Sequence, residues 1–402
     1  MDKVFYLLKN NKWFLFLSIS FLLSGIGSSL TQVLVFGQLI ELKASNSEIA
    51  FNFFFVTISN IIALHFGTKL AYRYRSFNIF IACELLSLIG LLIPFYAIAK
   101  NSILFFNITT LVPSICSGLI FVSYTSLVKD NFSDEDFEPI SIIESIIFSA
   151  VTLIGTGLGL IIYRILPPLE FIYFDGLLSI IVLIIFVFIK NLHPIQKIEY
   201  NLEEISNYSI LKLNGIKLQT FILPLILYSA TAPAMALMPT LGKLFPDLNF
   251  TFGLTISAGI ALIFSRGIGQ VLGPIVLGKI GITKNLKNEK TIIYILLIFI
   301  VFYSFIFLIK NIYIILCLII FAHILSNIVF SISLYMMYSN FSENEISYFS
   351  TKSYQIGNFI LLISSLLSIV LVKYVTPYTA YITISIASML ALFFVNNLNK
   401  FK

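Results

Sequence analysis

Long apolar runs alternate with short polar stretches along the whole chain. Each run offers roughly the 20 mainly apolar residues that a helix needs to cross a bilayer. The runs lack the period-two alternation of membrane β-strands, so the pattern predicts helices and not a barrel. The predicted spans are residues 12–40, 48–68, 77–98, 103–128, 139–165, 169–190, 218–243, 251–277, 291–309, 311–337, 347–373 and 377–397.

The polar stretch Lys190–Lys217 divides these spans into two sets of six. It interleaves Lys and Glu residues and contains no strongly apolar block. We therefore predict an all-α membrane protein with twelve transmembrane helices in two pseudo-symmetric six-helix bundles, residues 1–190 and 218–402. Residues 191–217 are predicted to form a cytoplasmic connector between the bundles.

Composition supports a lipid environment. Hydrophobic residues make up 58% of the chain and charged residues 11%, which is about half the charged share of an average soluble protein. A soluble core of this size could not bury so much apolar surface. The net charge of +6 comes without a basic patch that carries base-stacking aromatic residues, so we expect no nucleic-acid partner.

The distribution of Lys and Arg predicts the orientation. With a cytoplasmic N-terminus, 18 of the 25 basic residues lie on the cytoplasmic side, six lie outside, and Arg266 lies within a span. Because basic loops remain on the cytoplasmic side, both termini are predicted to be cytoplasmic, in an inner membrane of the bacterial kind. The first apolar run, Trp13–Phe36, is too long for the core of a cleavable signal peptide and is predicted to be the first span.

Motifs of soluble catalytic domains are missing from the sequence. There is no glycine-rich phosphate loop, no HExxH and no GxSxG. The three cysteines lie within apolar runs, at a spacing that fits neither a metal site nor a disulfide framework. We expect no enzymatic activity, no cofactor and no bound metal.

The eighth span contains the most informative local pattern. Gly269 and Gly273 form a GxxxG face that allows two helix backbones to approach closely, and Pro274 is expected to bend the helix. Arg266 is a cation near the middle of the membrane, where insertion costs about 2.5–3.5 kcal/mol. It should face a watery cavity or pair with a carboxylate. Its role is either structural or in substrate or proton coupling.

Two loops about half a chain apart resemble each other. After the second span, small residues lead into cations over Gly67–Arg75, and after the eighth span they do so over Gly273–Lys279. Such internal repetition is expected when two six-helix halves are related by symmetry.

The six-plus-six plan, the connector and these two loops resemble the major facilitator superfamily. The family's loop between helices 2 and 3 follows a pattern like G-x-L-A-D-R-x-G-R-R, which Leu70, Ala71 and Arg73 match. Gly67 stands one residue early, and Tyr72 stands where the family has the Asp that helps to latch the two halves.

Further motifs resemble the macrolide-efflux and siderophore-exporter branch of this superfamily. The run Arg266–Pro274 is similar to that branch's RGxGxxxGP, and the stretch that begins at Asp175 is similar to its D-A-L-S-F-L. Gly155, Gly157 and Gly159 resemble the glycine-rich antiporter motif of exporters, without its usual proline.

The resemblance also implies which residues face the substrate. In the family, helices 1, 4, 7 and 10 line a central cavity. The polar residues that this analogy places there are Gln32, Gln38, Tyr124, Tyr228, His323 and Asn327. In the eleventh span Tyr354 and Asn358 share another face, with Gln355 alongside. The alternative role for His323 is a hydrogen bond between helices.

Three intramembrane acids and one proline-rich span are further candidates. Glu84 is predicted either to carry protons or to pair with a loop cation such as Arg73 or Lys69. Asp175 is expected either in a pair at the outer rim or in a functional role, and Glu144 is expected to complement the helix N-terminus. The prolines and alanines of the seventh span predict a broken, bendable gate helix.

Together these features predict a secondary transporter that works by alternating access. We expect proton-driven export of a small drug-like or siderophore-like molecule, by a monomer whose partners are that substrate, protons and the bilayer. Amino-acid or peptide uptake by the same fold is the alternative. A lipid-linked glycan flippase would need several cavity cations, and only Arg266 qualifies.

Overall fold

The computed structural model describes residues 1–44, 46–163, 165–192, 208–242, 249–251, 255–282, 285–371 and 374–398. Twelve long helices account for most of these residues. They are α1 (Lys12–Glu41), α2 (Asn46–Arg73), α3 (Ser76–Lys100), α4 (Ile103–Asn131), α5 (Phe137–Ile162), α6 (Pro168–Leu192), α7 (Gly215–Gly242), α8 (Ala258–Ile280), α9 (Glu289–Ile306), α10 (Ile312–Asn340), α11 (Glu343–Leu371) and α12 (Pro377–Leu398). A short helix, Asp2–Asn10, precedes them, and a 3₁₀ turn, Ile210–Lys212, precedes α7.

The prediction of twelve membrane helices is confirmed, and their bounds agree closely with the predicted spans. Eight helices in the described part of the chain are long and apolar enough to cross a membrane by themselves. Most of the predicted connector, residues 193–207, lies outside the described residues. The division into two bundles joined by that connector therefore stays a prediction.

The predicted start of the eighth span is wrong. The span was expected to begin at residue 251, but α8 begins at Ala258. Before it, strands β1 (Asn249–Thr251) and β2 (Thr255–Ser257) pair antiparallel, with Asn249 opposite Ser257. β-branched residues such as Thr251 and Thr255 favour extended backbone, which explains why the helix starts late.

Irregular helical backbone occurs in α5 and not in α7. The break predicted for the seventh span is wrong, because α7 is continuous over Gly215–Gly242 despite its prolines, and its role as a bendable gate stays a prediction. In α5, by contrast, residues Val151–Leu158 form a π-helix. A π-helical segment is uncommon and often marks a functional position in a helix.

Helix packing repeats between the first six helices and the last six. In the first half α2 packs against α4, and α1 packs against α5 and α6. In the second half α8 packs against α10, and α7 packs against α11 and α12. The corresponding pairs are therefore the same, as two pseudo-symmetric halves require.

The halves contact each other near one membrane face. We call it the basic face; it is where α1 begins at Lys12 and α2 ends at Arg73. There the Lys129 ammonium donates to the Tyr338 carbonyl at 2.7 Å. The hydroxyls of Ser126 and Ser347 also bond to each other across the halves.

Residues before α1 add further contacts at the basic face, which these contacts hold closed. The Met1 ammonium donates to the Gly278 carbonyl of α8. The Glu138 carboxylate of α5 accepts from the Ile282 backbone N–H at 2.8 Å and from Lys3 at 2.8 Å. The hydrogen bond to Glu138 raises the pKa of Lys3.

Candidate functional site

A cavity of about 370 Å³ lies between the two halves, and we call it the central cavity. Helices α4 and α5 of the first half and α7, α8, α10 and α11 of the second half enclose it. Its polar lining consists of Tyr124, Thr125, Glu144, Tyr228, Thr231, Arg266, Gln270, His323, Ser326, Asn327, Ser333, Tyr338, Ser350, Ser353, Tyr354 and Asn358. The remaining lining is aliphatic and aromatic, and the volume suits a small organic ligand.

Glycines of α8 bring Arg266 to the cavity wall. A Cβ at Gly273 would come within 2.7 Å of the Ile324 carbonyl oxygen, so α8 and α10 approach as closely as the GxxxG pattern predicts. Gly269 meets the backbone of Ile320 in the same way. The Nε atom of Arg266 has no hydrogen-bond partner among the described residues. Of its two expected environments, a cavity or a carboxylate partner, the structure places Arg266 at the cavity.

His323 and Asn327 lie on the same wall but differ in their bonding. His323 Nε2 lies 2.6 Å from the Tyr303 hydroxyl of α9, and Nδ1 lies 3.4 Å from the Ser326 hydroxyl. Both ring nitrogens therefore serve contacts within the second half, as the alternative interpretation of His323 expects. The Ser149 hydroxyl of α5 approaches Asn327 Oδ1 at 3.4 Å, which links the two halves.

Aromatic side chains from both halves form another wall. The Tyr354 ring stacks on Phe121 with centroids 4.5 Å apart and an interplanar angle of 19°. Tyr228 meets Tyr354 edge to face at 6.2 Å. Asn358, one turn beyond Tyr354, also lines the cavity, whereas Gln355 points elsewhere and donates to the Ile61 carbonyl of α2 at 3.0 Å.

Glu144 is a cavity residue that the sequence interpretation missed. It was expected to complement the start of α5, but it lies two turns inside that helix. Its carboxylate accepts a hydrogen bond from the Tyr338 hydroxyl of α10 at 2.8 Å, across the two halves. Phe137 stacks on the same Tyr338 ring at 5.5 Å. The distance of Glu144 from the helix start was the available signal, since a cap residue lies within the first turn.

Glu84 and Gln32 lie in a different cavity. This N-terminal cavity has a volume of about 320 Å³ and is lined by α1, α2, α3 and α4 of the first half. Glu84 accepts a hydrogen bond from the Ser24 hydroxyl at 3.2 Å. The predicted pairing of Glu84 with Arg73 or Lys69 is therefore wrong: Glu84 lies in the interior of α3, whereas both cations lie at the end of α2.

Gln38 lies farther along α1, near the end that is remote from the basic face. It donates to Glu41 and to the Tyr163 hydroxyl, each at 2.8 Å. The analogy that placed Gln32 and Gln38 in the central cavity does not hold among the described lining residues. Their helix α1 packs against α5 and α6, which sequence spacing alone does not reveal.

Asp175 is buried between α1 and α6. It accepts a hydrogen bond from the Thr31 hydroxyl at 2.6 Å, and Gly27 gives it room. Asp175 lies two turns inside α6 and not at its start. Its expected pairing with Arg164 stays a prediction, because Arg164 lies outside the described residues.

The glycines of α5 face two neighbours. Gly155 and Gly159 pack against Ser29 and Val33 of α1, while Gly157 lies against Phe264 of α8 in the other half. This segment therefore allows close contact on both of its sides. Its role in conformational change stays a prediction.

The motif Gly67–Arg75, which was predicted as a loop, forms the end of α2 up to Arg73 and lies at the basic face. Gly67 packs against Val122 of α4, Ala71 is buried, and Arg73 is exposed. Leu70 packs in a small apolar cluster with Cys83 and Cys116. The Tyr72 hydroxyl donates to the Asn344 carbonyl of α11 at 3.1 Å. Tyr72 thus joins the two halves at the position where the family's pattern has Asp.

Comparisons with known proteins identify relatives of this architecture. The model of the Major Facilitator Superfamily matches residues 17–351. A search of curated proteins gives no match.

Solved structures give a consistent result. A human organic anion transporter, MFSD10 (TETRAN), is similar with a TM-score of 0.67 and 14% identity, over 94% of this chain and 98% of that one. A bacterial homologue of the iron transporter ferroportin, in its outward-facing state, gives 0.67 and 14%, over 96% and 99%. The transporter FucP in its outward conformation gives 0.67 and 12%, over 96% and 98%. At these identities the similarity concerns the fold alone.

Proposed function

The chain belongs to the Major Facilitator Superfamily, and we propose that it exports a small amphipathic organic molecule in exchange for protons. As a member of that family it is a multi-pass membrane transporter of small molecules and not an enzyme. The proposal concerns the substrate, the direction and the driving ion. The branch resemblance of Arg266–Pro274 to drug and siderophore exporters supports the direction.

The observation that carries the proposal is the composition of the central cavity. Stacked Phe121 and Tyr354 offer flat apolar surface, and Arg266 offers a cation with an unused N–H. A ligand with an aromatic or aliphatic body and one anionic group would satisfy both. A guanidinium in a water-poor cavity binds a carboxylate through charge-assisted hydrogen bonds.

Glu144 is the group that we propose to carry the proton. It faces the central cavity, and its hydrogen bond to Tyr338 crosses the halves where they are closed. Opening the basic face would separate α5 from α10 and would remove that bond. Protonation of Glu144 would then differ between the two open states, as coupling to alternating access requires.

Uptake of amino acids or peptides remains the second candidate for a specific reason. Arg266 and Glu144 line the same cavity and carry opposite charges. A zwitterion could bind its carboxylate to the first and its ammonium to the second. This candidate predicts binding of amino acids or dipeptides.

A thermal-shift screen on the purified protein distinguishes these candidates. The panel contains amphipathic aromatic carboxylates, their neutral methyl esters, amino acids and dipeptides. We expect the carboxylates to stabilise the protein more than their esters, and Arg266→Gln to weaken the best carboxylate about 30-fold or more while Arg266→Lys retains part of the affinity. Equal shifts from acids and esters would refute the role of Arg266, and shifts from amino acids alone would favour uptake.

Transport itself is measured in proteoliposomes with a pH gradient. Proton-driven exchange predicts that the gradient moves the best ligand of the screen and that Glu144→Gln abolishes this dependence. Equal transport rates with and without the pH gradient in the unmodified protein would contradict proton coupling.

A further inference from the structure

The N-terminal cavity is unlike the central cavity in its chemistry. Its lining is dominated by hydroxyl and amide side chains, and none of the described residues that line it carries a positive charge. These polar side chains are Ser24, Ser28, Ser29, Thr31, Gln32, Asn60, Ser87, Thr109, Thr110, Ser114 and Ser117. Glu84 is the one carboxylate among the described lining residues.

Glu84 is almost completely buried, with 1% of its surface exposed. Its Oε2 atom accepts from Ser24 and the Ser179 hydroxyl of α6 lies close to the carboxylate, but Oε1 has no partner at hydrogen-bond geometry among the described residues. A carboxylate so deep in the protein is too costly to leave both charged and unpaired. It therefore calls for a positive ligand or a proton.

The unpartnered atoms at this cavity are acceptors. Besides Glu84 Oε1, the Oδ1 atom of Asn60 also lacks a hydrogen bond. Both atoms belong to residues that line this hydroxyl-rich cavity, and oxygen ligands are those that a hard cation prefers. Protonation of Glu84 alone would leave the Asn60 oxygen without a partner.

From this chemistry we propose that the N-terminal cavity binds a monovalent metal cation of the sodium type, with Glu84 as its charged ligand. A single carboxylate balances a single positive charge. Calcium sites in proteins gather several carboxylates, and transition metals prefer nitrogen and sulfur ligands. The described residues contain no group of three or more His, Cys, Asp or Glu side chains that could hold such a metal.

A second carboxylate supports the site from outside. Thr31 lines the cavity, and its hydroxyl donates a hydrogen bond to the carboxylate of the buried Asp175. This bond leaves the Thr31 oxygen lone pairs directed away from Asp175, where they can serve a cation. Asp175 thus fixes the orientation of the Thr31 hydroxyl.

The proposal is independent of the exported substrate and is tested by binding alone. The melting temperature of the full chain in detergent is measured in sodium chloride and in choline chloride at equal ionic strength, together with equilibrium binding of radioactive sodium. We expect a saturable stabilisation by sodium, and a sodium Kd about 10-fold or more higher for Glu84→Gln.

Glu144→Gln is the matched control, because it removes a carboxylate of the central cavity and should leave sodium binding unchanged. If Glu84→Gln does not fold, Asn60→Asp tests the same site. Its added carboxylate should increase the affinity for sodium. Identical melting curves in sodium and choline chloride, without retained radioactive sodium, would overturn the proposal. So would a sodium effect that survives in Glu84→Gln.

Discussion

The central cavity and the N-terminal cavity differ first in what encloses them. Helices of both halves surround the central cavity, so its walls move relative to each other when the halves rock. The described lining residues of the N-terminal cavity all lie in α1–α4, whose helices belong to one half. A ligand of the central cavity can therefore favour one conformation directly, whereas a ligand of the N-terminal cavity can remain bound throughout the cycle.

The cavities also differ in charge and surface. The central cavity joins aromatic rings to Arg266, and the N-terminal cavity joins hydroxyl groups to Glu84. The first arrangement suits an amphipathic anion, while the second suits a small cation. One transporter can in this way bind two ligands of opposite charge without competition between them.

The largest expected effect comes from the helix that carries Arg266. Gly273→Ala would place a methyl group 2.7 Å from the Ile324 backbone oxygen, which cannot move like a flexible side chain. We expect α8 to shift, a loss of about 3 kcal/mol or more in stability, and weaker ligand binding in the central cavity. Sodium binding in the other cavity should persist.

Gly259→Ala is the matched control for this substitution. It lies in the same helix, and a Cβ there would meet nothing within 4 Å. Its melting temperature should equal or slightly exceed that of the unmodified protein, because Ala favours a helix more than Gly does. A comparable loss in both variants would show that close packing of α8 on α10 is not the cause.

A smaller effect is expected at the contact between Tyr338 and Glu144. Tyr338→Phe keeps the stacking on Phe137 but removes a hydrogen bond to a carboxylate, which contributes about 1.5–3 kcal/mol. The state with a closed basic face should become less populated. Labelling of a cysteine introduced near that face should accelerate, and an unchanged labelling rate would contradict the role of this bond.

Tyr72→Phe should have a smaller effect of the same kind. The lost bond to the Asn344 carbonyl joins neutral groups, so we expect about 0.5–1.5 kcal/mol. The same labelling experiment measures it. A larger acceleration than that of Tyr338→Phe would show that the end of α2 contributes more than the contact between Tyr338 and Glu144 to holding the basic face closed.

The smallest effect is expected for Gln38→Ala. Gln38 bonds to Glu41 and Tyr163 near the end of α1 that is remote from the basic face, away from the described lining of both cavities. Binding of sodium and of the carboxylate ligand should stay within error of the unmodified protein. A marked loss of either would show that this end of α1 contributes to a site.

Much of the fold could be predicted from the sequence, because the length and composition of an apolar run identify a membrane helix. The late start of α8 could not, since the strand Thr255–Ser257 is too short to distinguish from the helix that follows. Arg266 was recognisable as a lone charge within a span. The assignment of Glu84 and Gln32 to another cavity depends on the rotation of α1 and α3, which spacing along one helix does not determine.

Glu144 shows a second limit. Its contact across the halves is with Tyr338, which lies in the other half of the chain and approaches Glu144 only in the folded protein. The contact of Tyr72 likewise depends on folding. In the sequence, Tyr72 is visible only as a residue that differs from the Asp of the family's pattern. Its hydrogen bond to Asn344 becomes visible with the packing of α2 against α11.

The two cavities should bind two ligands of opposite charge separately. The affinities for sodium and for the best amphipathic carboxylate are measured in both Glu84→Gln and Arg266→Gln. We expect Glu84→Gln to lose sodium binding and keep carboxylate binding, and Arg266→Gln to lose carboxylate binding and keep sodium binding. Loss of both ligands in either folded variant, or of neither in both, would contradict separate binding.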